Sequence, residues 1–199
     1  MRYEIGDVRV ETRPVRDGTI RFDTGFSRLP AGTYSLEAEI REGKRIVKRF
    51  RSETFRCDGK KEEFRFLFGG EWRNAKLWDI DTPEHLYSLE MILRDAAGTE
   101  LDRFFPQEFG VREFAIRGRD FVLNGRTIHL RALPVNHTGI AADSTREKIR
   151  HLARTAKKIG INYLFDGDRC YHFRIGGNCY SDHFRTELSK HGILTSLSM

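Results

Sequence analysis

The chain of 199 residues carries 35 Lys or Arg against 29 Asp or Glu, for a formal charge of +6, and is 39% hydrophobic and 32% charged. Those proportions belong to an ordinary globular protein with one large domain or two modest ones, and they argue against disorder. No window approaches the roughly 18 apolar residues that cross a bilayer, and Met1-Arg2-Tyr3-Glu4-Ile5 lacks the apolar core of a signal peptide. Cys57, Cys170 and Cys179 are too few and too scattered for a disulfide framework, so they leave the compartment open.

In chain order, the segments Asp7–Arg13, Thr19–Thr24, Thr33–Ile40, Ile46–Phe55, Glu62–Phe68, Leu86–Arg94 and Glu100–Phe105 are strand-like, each bounded by Gly, Pro, Asp or Asn. Seven short strands with frequent turn signals predict a sandwich over residues 1–113. Alternation is clearest where Tyr34, Leu36, Ala38 and Ile40 share one face and Ser35, Glu37, Glu39 and Arg41 the other, the pattern of a half-buried antiparallel strand. The densest basic segment holds Arg41, Lys44, Arg45, Lys48, Arg49 and Arg51. Without any nucleic-acid motif beside it, it reads as a solvated strand edge, where positive charge discourages edge-to-edge pairing, and no nucleic-acid partner is expected.

Leu77-Trp78-Asp79-Ile80-Asp81-Thr82-Pro83-Glu84-His85-Leu86-Tyr87 brings Trp, Pro and Tyr together just before a strand. An indole with acidic neighbours can stack on a pyranose; the alternative preferred here is a loop anchored by burying Trp78 and Tyr87 at one end of the sandwich.

Phe109–Leu133 is where the grammar changes. Apolar runs at 114–116, 121–123 and 127–133 are separated by turns at Gly118–Asp120 and Asn124-Gly125, the latter a strong type I′ hairpin signal. Beyond it strands and helices alternate. Ile128–Leu133 is expected as a strand, and Ser144-Thr145-Arg146-Glu147 has the form of a capping box. The helix that follows puts Ile149, Leu152, Ala153, Ala156 and Ile159 on one face and stops at Gly160. A strand Ile161–Phe165, a long loop Asp166–Asn178, a helix Ser181–Lys190 and a strand Ile193–Leu197 complete the pattern. Such alternation implies right-handed crossovers and a parallel sheet. Half a dinucleotide-binding fold would need G-x-G-x-x-G after the first of these strands, where Pro134-Val135-Asn136-His137-Thr138-Gly139 stands instead. Gly176-Gly177 is a weak phosphate-loop candidate. Cys170, His172, Cys179 and His183 are of zinc-ligand type, but their spacings are not those of a structural zinc site, so no metal and no cofactor is expected.

Leu77-Trp78, Pro83, Leu86-Tyr87-Ser88-Leu89, Phe109-Gly110-Val111-Arg112, Phe121-Val122-Leu123-Asn124-Gly125 and Ile128-His129-Leu130-Arg131 resemble, in order and spacing, the passage from the immunoglobulin-like domain into the catalytic barrel of glycoside hydrolase family 2. That family comprises β-galactosidases, β-glucuronidases and β-mannosidases. Lys157–Asn162 and Lys190–Leu194 resemble the approaches to its second and third barrel strands. The resemblance implies an immunoglobulin-like β-sandwich, residues 1–113, followed by an incomplete (β/α)8 barrel of about three βα units, residues 114–199. It implies a carbohydrate partner, a β-glycoside, and neither nucleic acid nor membrane.

The family hydrolyses with retention, using two glutamates at the ends of the fourth and seventh barrel strands, so no catalytic residue is expected within these residues. The resemblance places Asn136 and His137 beside the substrate after the first strand, with Ala132 where the family has Gly. After the second strand, Phe165 stands in place of a usual Arg and Gly167-Asp168 in place of a Ser-His pair, which leaves Asp166, Asp168 and Arg169 as a replacement polar rim. Two alternatives are a non-catalytic carbohydrate-binding or interaction module and a divergent inactive member. Three parallel strands leave edges and one face uncovered, so self-association or contact with missing segments is expected.

Overall fold

The structure, a computed structural model, describes residues 3–60, 64–135, 145–166, 174–175 and 178–197, with the backbone alone at 166, 174–175, 178–183 and 197. It divides into two compact units, residues 1–76 with 86–113, and residues 77–85 with 114–199.

The first unit holds β1 (Glu4–Arg13), β2 (Thr19–Arg28), β3 (Gly32–Glu42), β4 (Arg45–Arg51), β5 (Phe55–Cys57), β6 (Phe64–Glu71), β7 (Tyr87–Asp95), β8 (Glu100–Arg103) and β9 (Gln107–Phe109). One antiparallel sheet runs β1-β2-β6; the other runs β4-β3-β7-β8, with β5 also on β3 and β9 on β7. This is a β-sandwich. Its core is where alternate side chains of the two sheets meet: Ile20, Phe22 and Phe26 from β2, Leu36, Ala38 and Ile40 from β3, Leu89, Met91 and Leu93 from β7. Phe22 packs between Phe50 and Phe68 at centroid distances of 5.5 and 5.2 Å, and Phe55 stacks on Phe66 at 4.1 Å.

Two sequence expectations change here. The run Ile46–Phe55 is not one strand, because Ser52 interrupts it: its Oγ accepts from the Leu36 N–H (2.9 Å) and donates to the Glu53 carbonyl (2.7 Å). A hydroxyl thus takes a place in the ladder, and pairing to β3 resumes only at Phe55.

The second change is that the polar face of β3 is not solvated, since Glu37 and Glu39 are both buried. Glu37 pairs with Arg94 (3.0 Å) and Arg51 (3.3 Å), and Glu39 with Arg41 (2.8 Å) and Arg49 (3.0 Å). Arg103 joins the network through Glu90 and Glu100, each at 2.7 Å. The basic segment on edge strand β4 therefore supplies cations to the carboxylates of its neighbour, across strands rather than along one.

The second unit opens with an antiparallel sheet of β10 (Phe114–Arg117), β11 (Asp120–Leu123) and β12 (Arg126–Ile128). The β11–β12 turn has φ of 52° at Asn124 and 82° at Gly125, both positive as a type I′ turn requires. β12 stops at Ile128 and β13 (Ala132–Val135) begins a separate sheet, so the single strand expected over Ile128–Leu133 is in fact two. The reason is Asn162. Its Nδ2 donates to the His129 carbonyl (2.8 Å) and its Oδ1 accepts from the Arg131 N–H (2.7 Å), so a buried side-chain amide satisfies the backbone between the strands.

Helix α1 (Arg146–Lys158) is capped by Thr145, whose hydroxyl accepts from the Lys148 N–H at 3.2 Å. The cap lies one residue later than the expected Ser144, which is outside the described residues. Ile149, Ala153 and Ala156 are buried, but Ile159 is the C-cap and 66% exposed, off the face it was assigned to. Gly160 follows at φ 83°. Strand β14 (Tyr163–Asp166), the short pair β15 (Arg174–Ile175) and β16 (Asn178–Cys179), helix α2 (Tyr180–Lys190) and β17 (Leu194–Leu197) complete the unit. Strands β13, β14 and β17 form a parallel sheet. Its buried side packs Val135 and Leu164 against Ile149, Ala153, Ala156, Phe184, Leu188 and Ile193.

Residues 77–85 lie in sequence between sandwich strands, yet they belong to this second unit. Trp78 is fully buried there and its Nε1 donates to the Ser189 carbonyl at 2.9 Å. Lys157 Nζ donates to the Ile80 carbonyl (2.8 Å), Asn124 Nδ2 to the Trp78 carbonyl (2.9 Å), and Arg126 pairs with Asp79 (3.0 Å).

The carboxylate network predicts an acid-sensitive sandwich. Burial alone would push the Glu39 carboxyl up, but guanidinium donors from Arg49 and Arg41 outweigh it and hold it below the ordinary glutamate value. A depressed folded-state value stabilises fully above the unfolded pKa of about 4.3 and is lost as pH falls through the folded one. Urea unfolding at a series of pH values should show this loss below about pH 4.3, and Glu39→Gln should remove that part of the slope. Glu37→Ala should cost about 2 kcal/mol at neutral pH, less than a fully buried pair because Arg49 and Arg51 can return to water.

Candidate functional site

In a parallel βαβ sheet the C-terminal strand ends gather at one edge, and loops leaving that edge carry function. Here that edge belongs to β13, β14 and β17. With Val135 and Leu164 facing the helices, the alternate residues Pro134, Tyr163 and Phe165 take the opposite face, joined by Ser196, the register partner of Phe165. This face is open: Pro134, Phe165 and Ser196 are exposed and Tyr163 half-buried. The rings of Tyr163 and Phe165 lie 6.2 Å apart and 26° from parallel, and Tyr163 Oη is 2.6 Å from Ser196 Oγ.

An aromatic pair edged by hydroxyls suits a ligand that is flat and apolar on one side and hydrogen-bonding at its rim. The described side chains of this face include no carboxylate, so they offer binding and positioning rather than acid–base chemistry. Among the described residues, no group of three or more His, Cys, Asp or Glu is placed to hold a metal ion.

Of the residues singled out by sequence, Asn136, His137, Asp168 and Arg169 lie outside the described residues. Asp166 closes β14, its backbone in register with Val135 and Leu197, while its side chain is outside the description. Gly176, Gly177, Cys170 and His172 fall outside as well, and at Cys179 and His183 only the backbone is defined. Phe165 is where the sequence put it, at the end of the second parallel strand. Tyr163 and Ser196 were not singled out. The signal was present in the alternation Tyr163-Leu164-Phe165, but only the parallel register to β17 joins Ser196 to it.

Trp78 is no stacking platform, since none of its surface reaches solvent. Nor does it share an anchor with Tyr87. Tyr87 stays in the sandwich, its ring 4.8 Å from that of Trp72 and its Oη accepting from the Lys76 N–H at 2.8 Å, whereas Trp78 is buried in the second unit.

No family model and no curated protein sequence matches the chain. Solved structures do. A glycosyl hydrolase family 2 member from Bacteroides cellulosilyticus matches 98% of this chain with TM-score 0.75 and 20% identity. A family 2 β-galacturonidase from Eisenbergiella tayi, solved with galacturonate, matches 99% with TM-score 0.73 and 19% identity. A β-glucuronidase from Bacteroides uniformis matches 94% with TM-score 0.67 and 20% identity. The chain has the fold of glycoside hydrolase family 2 proteins. It spans 24%, 33% and 22% of those three chains respectively, so it corresponds to a portion of each. The resemblance carried by the junction motifs in the sequence is thus shared by the three-dimensional structure.

The burial of Trp78 gives a direct check. In the Trp72→Phe protein, Trp78 is the only tryptophan; its emission should be blue-shifted and resistant to acrylamide. Quenching close to that of free indole would contradict the buried placement.

Proposed function

We propose that this chain is part of a retaining glycoside hydrolase acting on the O-glycosidic bonds of β-glycosides. In this reading residues 1–113 are its immunoglobulin-like domain and residues 114–199 are the opening βα units of its (β/α)8 barrel. The observation that carries it is the fold likeness to family 2 hydrolases over nearly the whole chain. Two features of the chain support the same assignment. The pairing of a three-stranded with a six-stranded antiparallel sheet, with the Tyr87 hydroxyl accepting from the Lys76 N–H at the start of β7, is of the kind seen in immunoglobulin-like sandwiches, where a tyrosine near the start of a strand bonds back to the backbone upstream. The parallel β13-β14-β17 sheet, with one helix in each connection, repeats the βα unit of a barrel.

Retaining hydrolysis needs one carboxyl protonated as acid and a second ionised as nucleophile, about 5 Å apart across the anomeric carbon. The resemblance sets them after the fourth and seventh strands, and this chain supplies three parallel strands among its described residues. Its part is therefore a wall of the sugar site. In sequence, Asn136 and His137 come directly after the first strand, Asp166 closes the second with Asp168 and Arg169 after it, and the Tyr163–Phe165 pair lies on the open face of the sheet. Phe165 in place of a basic residue makes this wall less polar than the family pattern.

A second reading, a non-catalytic carbohydrate-binding module, is favoured by one observation: the aromatic pair is edged by hydroxyls and the described side chains of its face include no carboxylate, which makes a binding surface without chemistry. Two measurements separate the readings. Chromogenic β-glycosides incubated with this chain should give no turnover above buffer; a clear rate would refute the assignment of both carboxylates to later strands. Calorimetric titration with oligosaccharides should be silent for the enzyme-part reading, whereas binding at about millimolar or tighter, lost in Phe165→Ala, would favour the binding module.

A further inference from the structure

Between β6 and β7 the chain makes an excursion whose base is closed within the sandwich, where the Lys76 N–H donates to Tyr87 Oη. A second closure lies further out. His85 Nδ1 and the Leu77 carbonyl are 2.9 Å apart, so the two ends of Leu77–His85 meet and the segment is a compact strap of Ω-loop form. The strap docks by shape as well as by hydrogen bonds. Trp78 reaches the last turn of α2 and Lys157, in the last turn of α1, reaches Ile80, contacts 111 and 77 residues apart in sequence. Gly192 lies so close that a Cβ there would stand 2.1 Å from the Ile80 carbonyl oxygen, and its φ of 68° independently favours glycine. The places where both helices stop are thus shaped around the strap.

We propose that this strap is an ordering device: the sandwich strands form it, and its docking is the step that locks α1, α2 and the turn into β17. A contact this distant in sequence forms late and must offset the entropy of ordering the segments that make it, and that cost falls when the strap arrives already ordered by its own closure. Pairing of β6 with β2 and of β7 with β3 fixes both stems of the strap. The second unit then receives Trp78 and Ile80 as a preformed plug. Undocking the strap loosens α1 and α2 while the sandwich core stays closed.

Pulse-labelling hydrogen exchange with mass spectrometry during refolding of the full chain tests this. Amides of β2, β3 and β7 should gain protection first, and those of the strap should gain it together with α1 and α2. Gly192→Val, which places atoms against Ile80, should raise native-state opening of the strap and both helices together by about tenfold or more, leaving β3 and β7 within about twofold. Lys157→Met removes the donor to Ile80 without backbone strain and should give the same pattern, more weakly; Lys158→Met should change neither. Helices protected before the sandwich, or a strap that opens in either variant without its helices, would overturn the proposal.

Discussion

The burial of one indole ties residues 77–85 to the end of α2. Trp78 hides an area on the order of 150–250 Å², worth roughly 4–6 kcal/mol as an upper estimate, against about 1 kcal/mol for its hydrogen bond to Ser189. Packing therefore dominates, and the hydrogen bond sets orientation. The indole sits at the end of α2, beside a carbonyl that the helix leaves without an internal partner, while Lys157 and Gly192 meet the Ile80 carbonyl two residues on. Those helix ends lie opposite the C-terminal strand edge. The strap thus docks at the end of the unit away from the C-terminal edge of β13, β14 and β17.

The sandwich is built on a different balance. β3 is apolar on one face and carboxylate-bearing on the other, and neither face is left to water. Glu37 and Glu39 are buried beneath arginines from β3, β4 and β7 that remain partly in solvent. Such an arrangement carries a smaller desolvation penalty than a fully buried ion pair, because the cations keep part of their hydration while the anions gain donors. It also assigns the densest cluster of positive charge an internal task.

Much of this was legible in the sequence wherever a local pattern decides structure. Asn124-Gly125 gives its turn because both residues must take positive φ, and Gly160 and Gly192 end their helices for the same reason. The alternation of β3 gives its core face. Legibility failed where one side chain from a distance replaces a backbone partner: Ser52 splits a strand by bonding at Leu36, and Asn162 splits another by bridging His129 and Arg131. It failed again for Glu37 and Glu39, since alternation says polar but not that cross-strand arginines bury it. The fate of Trp78 could not be read locally either, because its partner is 111 residues away. For the site, the second parallel strand and Phe165 were legible, while the meeting of Tyr163 with Ser196 needed the register.

The functional reading rests on β13, β14 and β17 being parallel, since an antiparallel arrangement would have no common C-terminal edge and no relation to a barrel. Interstrand nuclear Overhauser contacts in the isotope-labelled chain test that claim most directly. The account predicts a parallel ladder linking Leu133 with Leu164 and Leu164 with Thr195. Close Hα–Hα contacts between these strands, the mark of antiparallel pairing, would contradict it.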